Sequence, residues 1–136
     1  MTTINQTKTF KRIPKKSFVL CPALKNNPQV RGRYNRTLQL TPRKPNSALR
    51  KVGRVTLVNN KKVFAKIAGS GYLPQKFATV LVMGHGYKDT PSVKYSIIRN
   101  KYECPTINDK NKRRSLYGIK NKELIRLKKR GRFNKN

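Results

Sequence analysis

Apolar and polar residues alternate through the middle of the chain with the two-residue period of half-buried β-strands. In residues 54–58, Val55 and Leu57 share one face and Thr56 lies on the other. Residues 78–83 instead form a nearly continuous apolar run, which is typical of a strand buried on both faces. The apolar faces of two further segments consist of Val63, Ala65 and Ile67, and of Val93, Tyr95 and Ile97. Together these patterns predict five short strands, at residues 36–40, 54–58, 62–68, 78–83 and 93–99.

The segments between the predicted strands are rich in turn residues. Asn59 and Asn60 separate the second strand from the third, and asparagine tolerates the positive φ that a tight hairpin requires. Gly84 and Gly86 follow the apolar run and permit unusual backbone angles. Five short strands joined by such turns predict an all-β fold. We expect a small closed or nearly closed barrel, because open edges on so small a sheet would promote aggregation.

The residues on either side of the predicted barrel are strongly basic. Residues 1–34 contain no acid and several prolines, which predicts an extended arm with at most a short helix near residues 3–10. Residues 101–136 are predicted to form a basic tail, in which residues 121–130 could form a short helix. The tail is interpreted as an RNA contact, with a solvated tail as the alternative. The predicted organisation is therefore an arm (1–34), a barrel (35–100) and a tail (101–136).

The charge balance identifies the class of partner. The 136 residues include 34 Lys and Arg but only 4 Asp and Glu, a formal net charge of +30. Such a chain repels itself unless a polyanion neutralises it, and nucleic acid is the leading candidate. An anionic membrane surface is the alternative. However, no apolar run approaches the ~20 residues of a membrane span, and no long helix has a strong apolar face.

Catalytic and metal-binding chemistry is poorly represented. The two cysteines, Cys21 and Cys104, are far apart, and His85 is the one histidine, so no zinc site is expected. Both cysteines are interpreted as reduced thiols. The four acids are Asp89, Glu103, Asp109 and Glu123, and no two of them are close in sequence. We expect no enzyme activity, no metal and no cofactor, although an enzyme acting on RNA remains an alternative.

Two loops combine rigid turn residues with positive charge. Residues 41–51, TPRKPNSALRK, contain two prolines, small hydrogen-bonding groups and four cations. Asn46 or Ser47 could cap one helical turn, and their small polar groups would also suit the narrow spacing of RNA 2′-hydroxyls. Residues 84–92, GHGYKDTPS, present Lys88 and Asp89 before Pro91. This second segment is either a turn whose aspartate caps the backbone or a rigid loop that presents charges to a ligand.

At these two loops the chain resembles the small-subunit ribosomal protein twelve family, which lies at the decoding centre. TPRKPNSALRKVGRV is similar to the family pattern T-P-K-K-P-N-S-A-L-R-K-V, and GYKDTPSVKY resembles R-V-K-D-L-P-G-V-R-Y. Residues 5–6, 21–32 and 114–120 also resemble family segments, so the likeness covers about residues 4–122. The resemblance implies a five-stranded oligonucleotide-binding barrel with an N-terminal arm threaded through ribosomal RNA.

The resemblance also implies roles for individual residues. The first loop of the family, which corresponds here to Pro45, Asn46 and Ser47, approaches the adenosines that inspect codon–anticodon pairing in the aminoacyl site. Arg43 and Lys44 match two lysines near the streptomycin site. The second loop influences accuracy and comprises Lys88, Asp89 and Pro91; in many bacterial members the matching aspartate is methylthiolated. The cations predicted to contact ribosomal RNA are Lys8, Lys11, Arg12, Lys15, Lys16, Arg31, Arg33, Arg50, Lys51, Arg54, Arg113 and Arg114.

These features predict a structural constituent of the small ribosomal subunit. Its expected partners are ribosomal RNA, transfer and messenger RNA at the aminoacyl site, and neighbouring ribosomal proteins, with no membrane. A free RNA chaperone or translation factor with the same barrel is the alternative. Divergence from the family pattern, Asn, Lys and Ile richness and the C-terminal extension suggest an organelle ribosome. A mitochondrial ribosome is favoured over a plastid one, because plastid members of the family usually stay closer to the bacterial ones. Because the family-like residues 5–6 lie so near the start, we expect a chain made inside the organelle.

The chain departs from the family pattern at three places. Ser92 replaces a glycine, residues 69–77 replace G-E-G-H-N-L-Q-E-H with GSGYLPQKF, and Arg43 replaces a lysine. The last change keeps the charge but exchanges a point charge for a planar fork. The resemblance then implies weakened streptomycin sensitivity of ribosomes that carry this chain, which we predict. Misreading assays with and without the drug check this, and ordinary sensitivity would contradict it.

Overall fold

The computed structural model describes residues 3–9, 19–107 and 110–121. Five strands dominate the described residues: β1 (Gln29–Leu40), β2 (Arg50–Leu57), β3 (Lys62–Ile67), β4 (Thr79–Gly84) and β5 (Tyr95–Ile97). Two short helices, α1 (Ile4–Thr9) and α2 (Arg114–Tyr117), and a 3₁₀ turn (Pro22–Leu24) lie outside the strands. The helix expected near residues 3–10 is therefore present, whereas the helix expected at 121–130 lies outside the described residues apart from its first position.

The strands close into a barrel in the order β1-β2-β3-β5-β4, with β4 returning to pair with β1. All neighbours are antiparallel except β3 and β5, which run parallel. This confirms the predicted all-β class and the five-stranded oligonucleotide-binding barrel. Every strand has two partners, so the sheet has no open edge.

The first strand is longer than the sequence predicted, because it begins at Gln29 and not at residue 36. Gln29–Arg33 pairs with β4, while Gly32–Leu40 pairs with β2, so one strand belongs to both sides of the barrel. The register with β2 shifts between Tyr34 and Arg36, as it does at a β-bulge. Arg31 and Arg33 are exposed on the outer side, and their charge made this half of the strand resemble the basic arm.

The barrel interior is filled by the faces that the alternation predicted. Val55, Leu57, Ala65 and Ile67 are buried, as are Val63, Tyr95 and Ile97. β4 differs from its prediction as a strand buried on both faces. Val80 and Val82 are fully buried, but Leu81 and Met83 on the other side are only half-buried. A barrel wall has one inner face, so the outward apolar residues of β4 retain contact with solvent.

Two glycines expected to adopt unusual backbone angles, Gly84 and Gly86, do not have positive φ. Gly84 is required for close packing instead, because a Cβ atom there would lie 2.7 Å from the Cys21 Sγ. Cys21 donates its thiol hydrogen to the Lys94 carbonyl oxygen, and the Tyr95 hydroxyl accepts from the Ala23 N–H. These contacts fix residues 21–24 against the barrel at the point where β4 ends. At the β2–β3 turn, Asn60 does have the predicted positive φ, 63°.

The ring of Tyr34 occupies the space above Gly53 on β2. Tyr34 is 1% exposed, and a Cβ atom at Gly53 would lie 2.4 Å from its Cε2 atom and 3.3 Å from the Ile97 Cδ1. The Tyr34 hydroxyl hydrogen-bonds to the Thr37 hydroxyl, which restricts the ring further. The ring therefore has little freedom to accept an added methyl group on the facing strand.

We predict that Gly53→Ala lowers the free energy of unfolding by about 1–3 kcal/mol, because the added methyl group overpacks the barrel. Chemical denaturation of the full-length chain measures this. Gly86→Ala is the matched control, since nothing lies within 4 Å of the position of its Cβ atom, and its effect should stay within about 0.5 kcal/mol. Equal stability of the two variants would show that the tyrosine ring moves aside.

Candidate nucleic-acid interface

The loop between β1 and β2, residues 41–49, is exposed apart from one buried proline. Pro42 is buried, whereas residues 43–49 are exposed. The Lys44–Pro45 peptide bond is cis, and the Asn46 N–H donates to the Arg43 carbonyl oxygen at 3.1 Å, closing a tight turn. No helical turn follows, so the interpretation of Asn46 or Ser47 as a helix cap is wrong. The chain instead enters β2 directly at Arg50, which leaves both side chains exposed to solvent.

The second loop, residues 85–94, connects β4 to β5. Its base is closed by the His85 N–H, which donates to the Lys94 carbonyl oxygen at 2.9 Å. Within it the Val93 N–H donates to the Thr90 carbonyl oxygen, and both of these residues are buried. Lys88, at the outer side of the loop, is exposed. The loop is therefore fixed at its base and along its inner side while its cation faces outward.

The two loops are joined at Asp89. The Arg43 N–H donates to the Asp89 carbonyl oxygen at 2.7 Å, which links the loop backbones directly. The Arg50 Nε donates to the Asp89 Oδ2 at 2.9 Å, which links the second loop to the first residue of β2. The Asp89 side chain is 19% exposed. Its carboxylate is therefore a support for the two loops and faces Arg50, whereas the sequence interpretation had it capping the backbone or facing a ligand.

The electrostatic environment of Asp89 favours its ionised form. Burial by itself raises the pKa of the Asp89 carboxyl. The hydrogen bond from Arg50 and the positive charges of Lys66 and Arg50 outweigh this and hold the pKa below its usual value. Burial also lowers the pKa of Lys66, while the charge of Asp89 partly opposes this and that of Arg50 adds to it. The carboxylate thus lies between two cations from neighbouring strands.

Lys66 and Tyr87 complete the support of the second loop. The Lys66 Nζ lies 3.7 Å from the centroid of the Tyr87 ring, and His85 packs edge-on against the same ring at 4.2 Å. A cation over an aromatic face is attracted by the ring quadrupole. These contacts hold the loop against the outer face of β3. Neither residue was predicted from the sequence, because only contacts across the fold distinguish Lys66 from the other outward-facing cations of the strands.

An open groove of about 300 Å³ lies between the two loops. It is lined by Arg43, Lys44, Pro45, Asn46, Lys88 and Asp89. The structure therefore brings together six of the eight residues that the sequence assigned to these loops. Because the one acid in the lining is paired with Arg50, the groove presents three uncompensated cations. Ser47 and Pro91 are exposed in the same two loops but do not line the groove.

The other predicted RNA contacts lie on several parts of the surface. Arg31 and Arg33 are exposed on β1, and Lys51 and the half-buried Arg54 lie on β2. Lys8 is exposed in α1, and Arg113 and Arg114 are exposed at the start of α2. Four further cations, Lys11, Arg12, Lys15 and Lys16, lie outside the described residues. These described cations are therefore available to an external partner, and none of them lines the groove.

Alternative chemistries receive no support from the described part of the chain. Among residues 3–9, 19–107 and 110–121, no group of three or more His, Cys, Asp or Glu could hold a metal ion. Cys21 and Cys104 are both free, and burial raises the pKa of the Cys104 thiol. None of the described helices has the length and apolar character needed to cross a membrane.

A closed five-stranded barrel with an outer surface of cations is characteristic of proteins that bind nucleic acid. The family model for Ribosomal protein S12/S23 matches residues 18–132, which is most of the 136-residue chain. The chain belongs to this family, whose members are structural, non-enzymatic constituents of the small ribosomal subunit. Its partners are therefore ribosomal RNA and other ribosomal proteins, and its location is the ribosome.

We predict that Asp89→Asn destabilises the full-length chain at pH 7, because the amide cannot neutralise Arg50 and Lys66. The folded-state pKa of Asp89 is depressed, so its stabilising effect is present above the unfolded-state pKa of ~4 and is lost as the pH falls through the folded-state value. The difference in unfolding free energy between the native chain and the variant should therefore shrink on acidification.

Unfolding titrations between about pH 7 and pH 3 measure this difference. Arg50→Gln, alone and combined with Asp89→Asn, completes a double-mutant cycle. Because Arg50 supplies the hydrogen bond, its removal should abolish most of the pH dependence contributed by Asp89. A difference that stays constant over the whole range would contradict the assignment of this ion pair.

Proposed function

We propose that the two loops form a fixed surface against which codon–anticodon geometry is inspected at the aminoacyl site of the small subunit. In this proposal the first loop contacts the decoding adenosines through Pro45, Asn46 and Ser47. The second loop, with Lys88 and Pro91, holds the first in position and contacts nearby RNA. Transfer RNA and messenger RNA are the transient partners, whereas ribosomal RNA is the permanent one.

The junction at Asp89 is the observation that carries this proposal. A surface that distinguishes correct from incorrect base pairs by shape must be rigid. The backbone hydrogen bond from Arg43 and the ion pair with Arg50 join the two loops to one strand of the barrel. Both loops therefore have little freedom to move apart, which keeps the cost of ordering them on RNA small.

The chemistry of the exposed groups suits a closely packed RNA backbone. Asn46 and Ser47 offer small donors and acceptors, and a wide, shallow RNA minor groove displays 2′-hydroxyls to such groups. Arg43, Lys44 and Lys88 surround them with positive charge that phosphates can neutralise. Hydrogen-bonding groups at the centre and cations at the margin allow the surface to follow backbone shape without reading base sequence.

We also propose that the cations outside the loops anchor the chain in ribosomal RNA. Lys8, Arg31, Arg33, Lys51, Arg54, Arg113 and Arg114 are the described members of this set, and Lys11, Arg12, Lys15 and Lys16 complete it. The large positive charge supports this, because phosphate neutralisation would remove the self-repulsion of the chain. The Asn, Lys and Ile richness supports a mitochondrial ribosome, with a plastid ribosome as the alternative.

We predict that Pro45→Ala and Ser47→Ala change the misreading frequency of reconstituted small subunits several-fold while leaving their assembly unaltered. The reason is that both residues are exposed and contribute nothing to the barrel interior. Misreading is measured as the ratio of near-cognate to cognate transfer RNA accepted at a fixed codon. Assembly is measured in parallel by incorporation of the chain into subunits.

Ser70→Ala is the matched control, because this exposed serine lies outside both loops and does not line the groove. It should leave misreading and assembly unchanged. Impaired assembly with normal misreading in the two loop variants would make the loop a structural element and would refute the proposed role. Asp89→Asn should change the misreading frequency in the same direction as the two loop variants, because it weakens the ion pair that supports both loops.

A further inference from the structure

Phe77 and Tyr102 are two of the exposed aromatic residues that lie outside the two loops. Phe77, just before β4, is 58% exposed, and Tyr102, in the turn after β5, is 53% exposed. Large apolar rings in such positions do not contribute to the barrel interior. Single exposed aromatics are ordinary, so their meaning depends on what surrounds them and on how they are held.

Both rings are accompanied by cations. The Arg33 Cζ lies 5.9 Å from the centroid of the Phe77 ring, and the Lys76 Nζ lies 5.0 Å from it. The Lys101 Nζ lies 5.9 Å from the centroid of the Tyr102 ring. These distances are within the range at which a cation and a ring attract each other. Each exposed ring is therefore presented together with positive charge.

Both residues also have a backbone conformation that bulky side chains seldom adopt. Phe77 has a φ of 68° and Tyr102 a φ of 52°. The Phe77 N–H donates to the Tyr34 carbonyl oxygen at 2.7 Å, which fixes the backbone that carries its ring. Tyr102 occupies the tip of a tight turn closed by the Cys104 N–H, which donates to the Lys101 carbonyl oxygen. The surrounding structure thus maintains two rings at outward-facing positions.

Hydrogen bonds connect the two segments. The Glu103 N–H donates to the Thr79 carbonyl oxygen at 3.2 Å, and the Thr79 N–H donates to the Glu103 Oε2 at 3.0 Å. Thr79 is two residues from Phe77, and Glu103 is adjacent to Tyr102, so both rings belong to the same part of the surface. The buried guanidinium of Arg99 adds a second connection, because it donates to the Tyr72 and Pro105 carbonyl oxygens.

From this arrangement we propose that Phe77 and Tyr102, with Arg33, Lys76 and Lys101, form a second RNA-binding site that stacks unpaired bases. Aromatic rings interleaved with cations are the means by which proteins bind single-stranded nucleic acid, since every base has a stackable face and every nucleotide a phosphate. Glu103 contributes one negative charge against the three cations, and its carboxylate is held by the Thr79 N–H. The site lies at the start of β4, whereas the second loop begins where β4 ends, about 17 Å along the strand.

Charge favours RNA over a protein as the occupant. Three cations surround the two rings, whereas the core of a protein interface is depleted in charged residues. The assignment of the chain to the ribosome supplies the polyanion, but the site is independent of the decoding role proposed above. Failure of the decoding proposal would leave this one intact, and the reverse also holds, since the two use different residues and different readouts. Arg33 is shared only with the proposed anchoring cations.

The chain contains no tryptophan, so Phe77→Trp introduces a single fluorescent reporter at the site. The full-length variant is titrated with a 12-nucleotide oligouridylate and with an abasic oligonucleotide of the same length and charge. We expect the oligouridylate to quench tryptophan emission saturably and the abasic oligonucleotide to leave it unchanged. Tyr102→Leu in the same background should raise the half-quenching concentration at least about fivefold.

Phe64→Trp is the matched control, because Phe64 is an exposed aromatic on β3 that is not part of the site. Its emission should respond equally to the two oligonucleotides. Circular dichroism verifies folding, and Tyr102→Trp serves as reporter if Phe77→Trp does not fold. Equal quenching by the abasic oligonucleotide would overturn the proposal. A second outcome would also overturn it: emission that oligouridylate leaves unchanged but that shifts to the blue on assembly into subunits. That result would indicate an apolar protein neighbour.

Discussion

The ionic junction around Asp89 is the constraint on which the arrangement of the functional surface depends. Two loops lined with cations would repel each other if nothing negative lay between them. Asp89 supplies that charge to Arg50 and Lys66, and its carbonyl oxygen accepts from the Arg43 N–H. Arg50 and Asp89 form the one ion pair found within the described residues, in a chain with 4 acids and 34 basic residues. Most of the other cations in the described residues are exposed, whereas Arg99 is buried.

The barrel supports this junction, because its paired strands hold Arg50 and Lys66 at fixed positions. Its closure gives every strand two neighbours, and the Tyr34 ring packs so closely on Gly53 that no space remains there for a Cβ atom. Arg50 and Lys66 lie on adjacent strands, so the distance between them is set by backbone pairing and not by flexible loops. The shape of the surface is set by the barrel interior and not by the partner. A polyanionic partner therefore binds a surface that is already formed.

The local sequence pattern predicted most of the strands, but it did not predict the length of β1 or the exposure of the outer face of β4. Alternation identified the inner faces of β2 and β3 correctly, because a period of two reports directly on a wall with one buried side. The same reasoning failed for the first half of β1, where outward arginines concealed the strand, and for β4, where Leu81 and Met83 suggested a second buried face. In β1 the charge of the outward side chains resembled that of the basic arm, and in β4 the outward side chains are apolar although they are only half-buried. Periodicity alone does not resolve either case.

The sequence by itself determined the all-β class, the likeness to a ribosomal family and the two loops that carry the candidate site, because these depend on short-range pattern. Only the tertiary structure decided that Asp89 supports the loops, that Lys66 and Tyr87 assist it, and that Phe77 and Tyr102 lie on one part of the surface. Each of these relations joins residues more than twenty positions apart. Such contacts arise from strand pairing and barrel closure, which no local stretch of residues encodes.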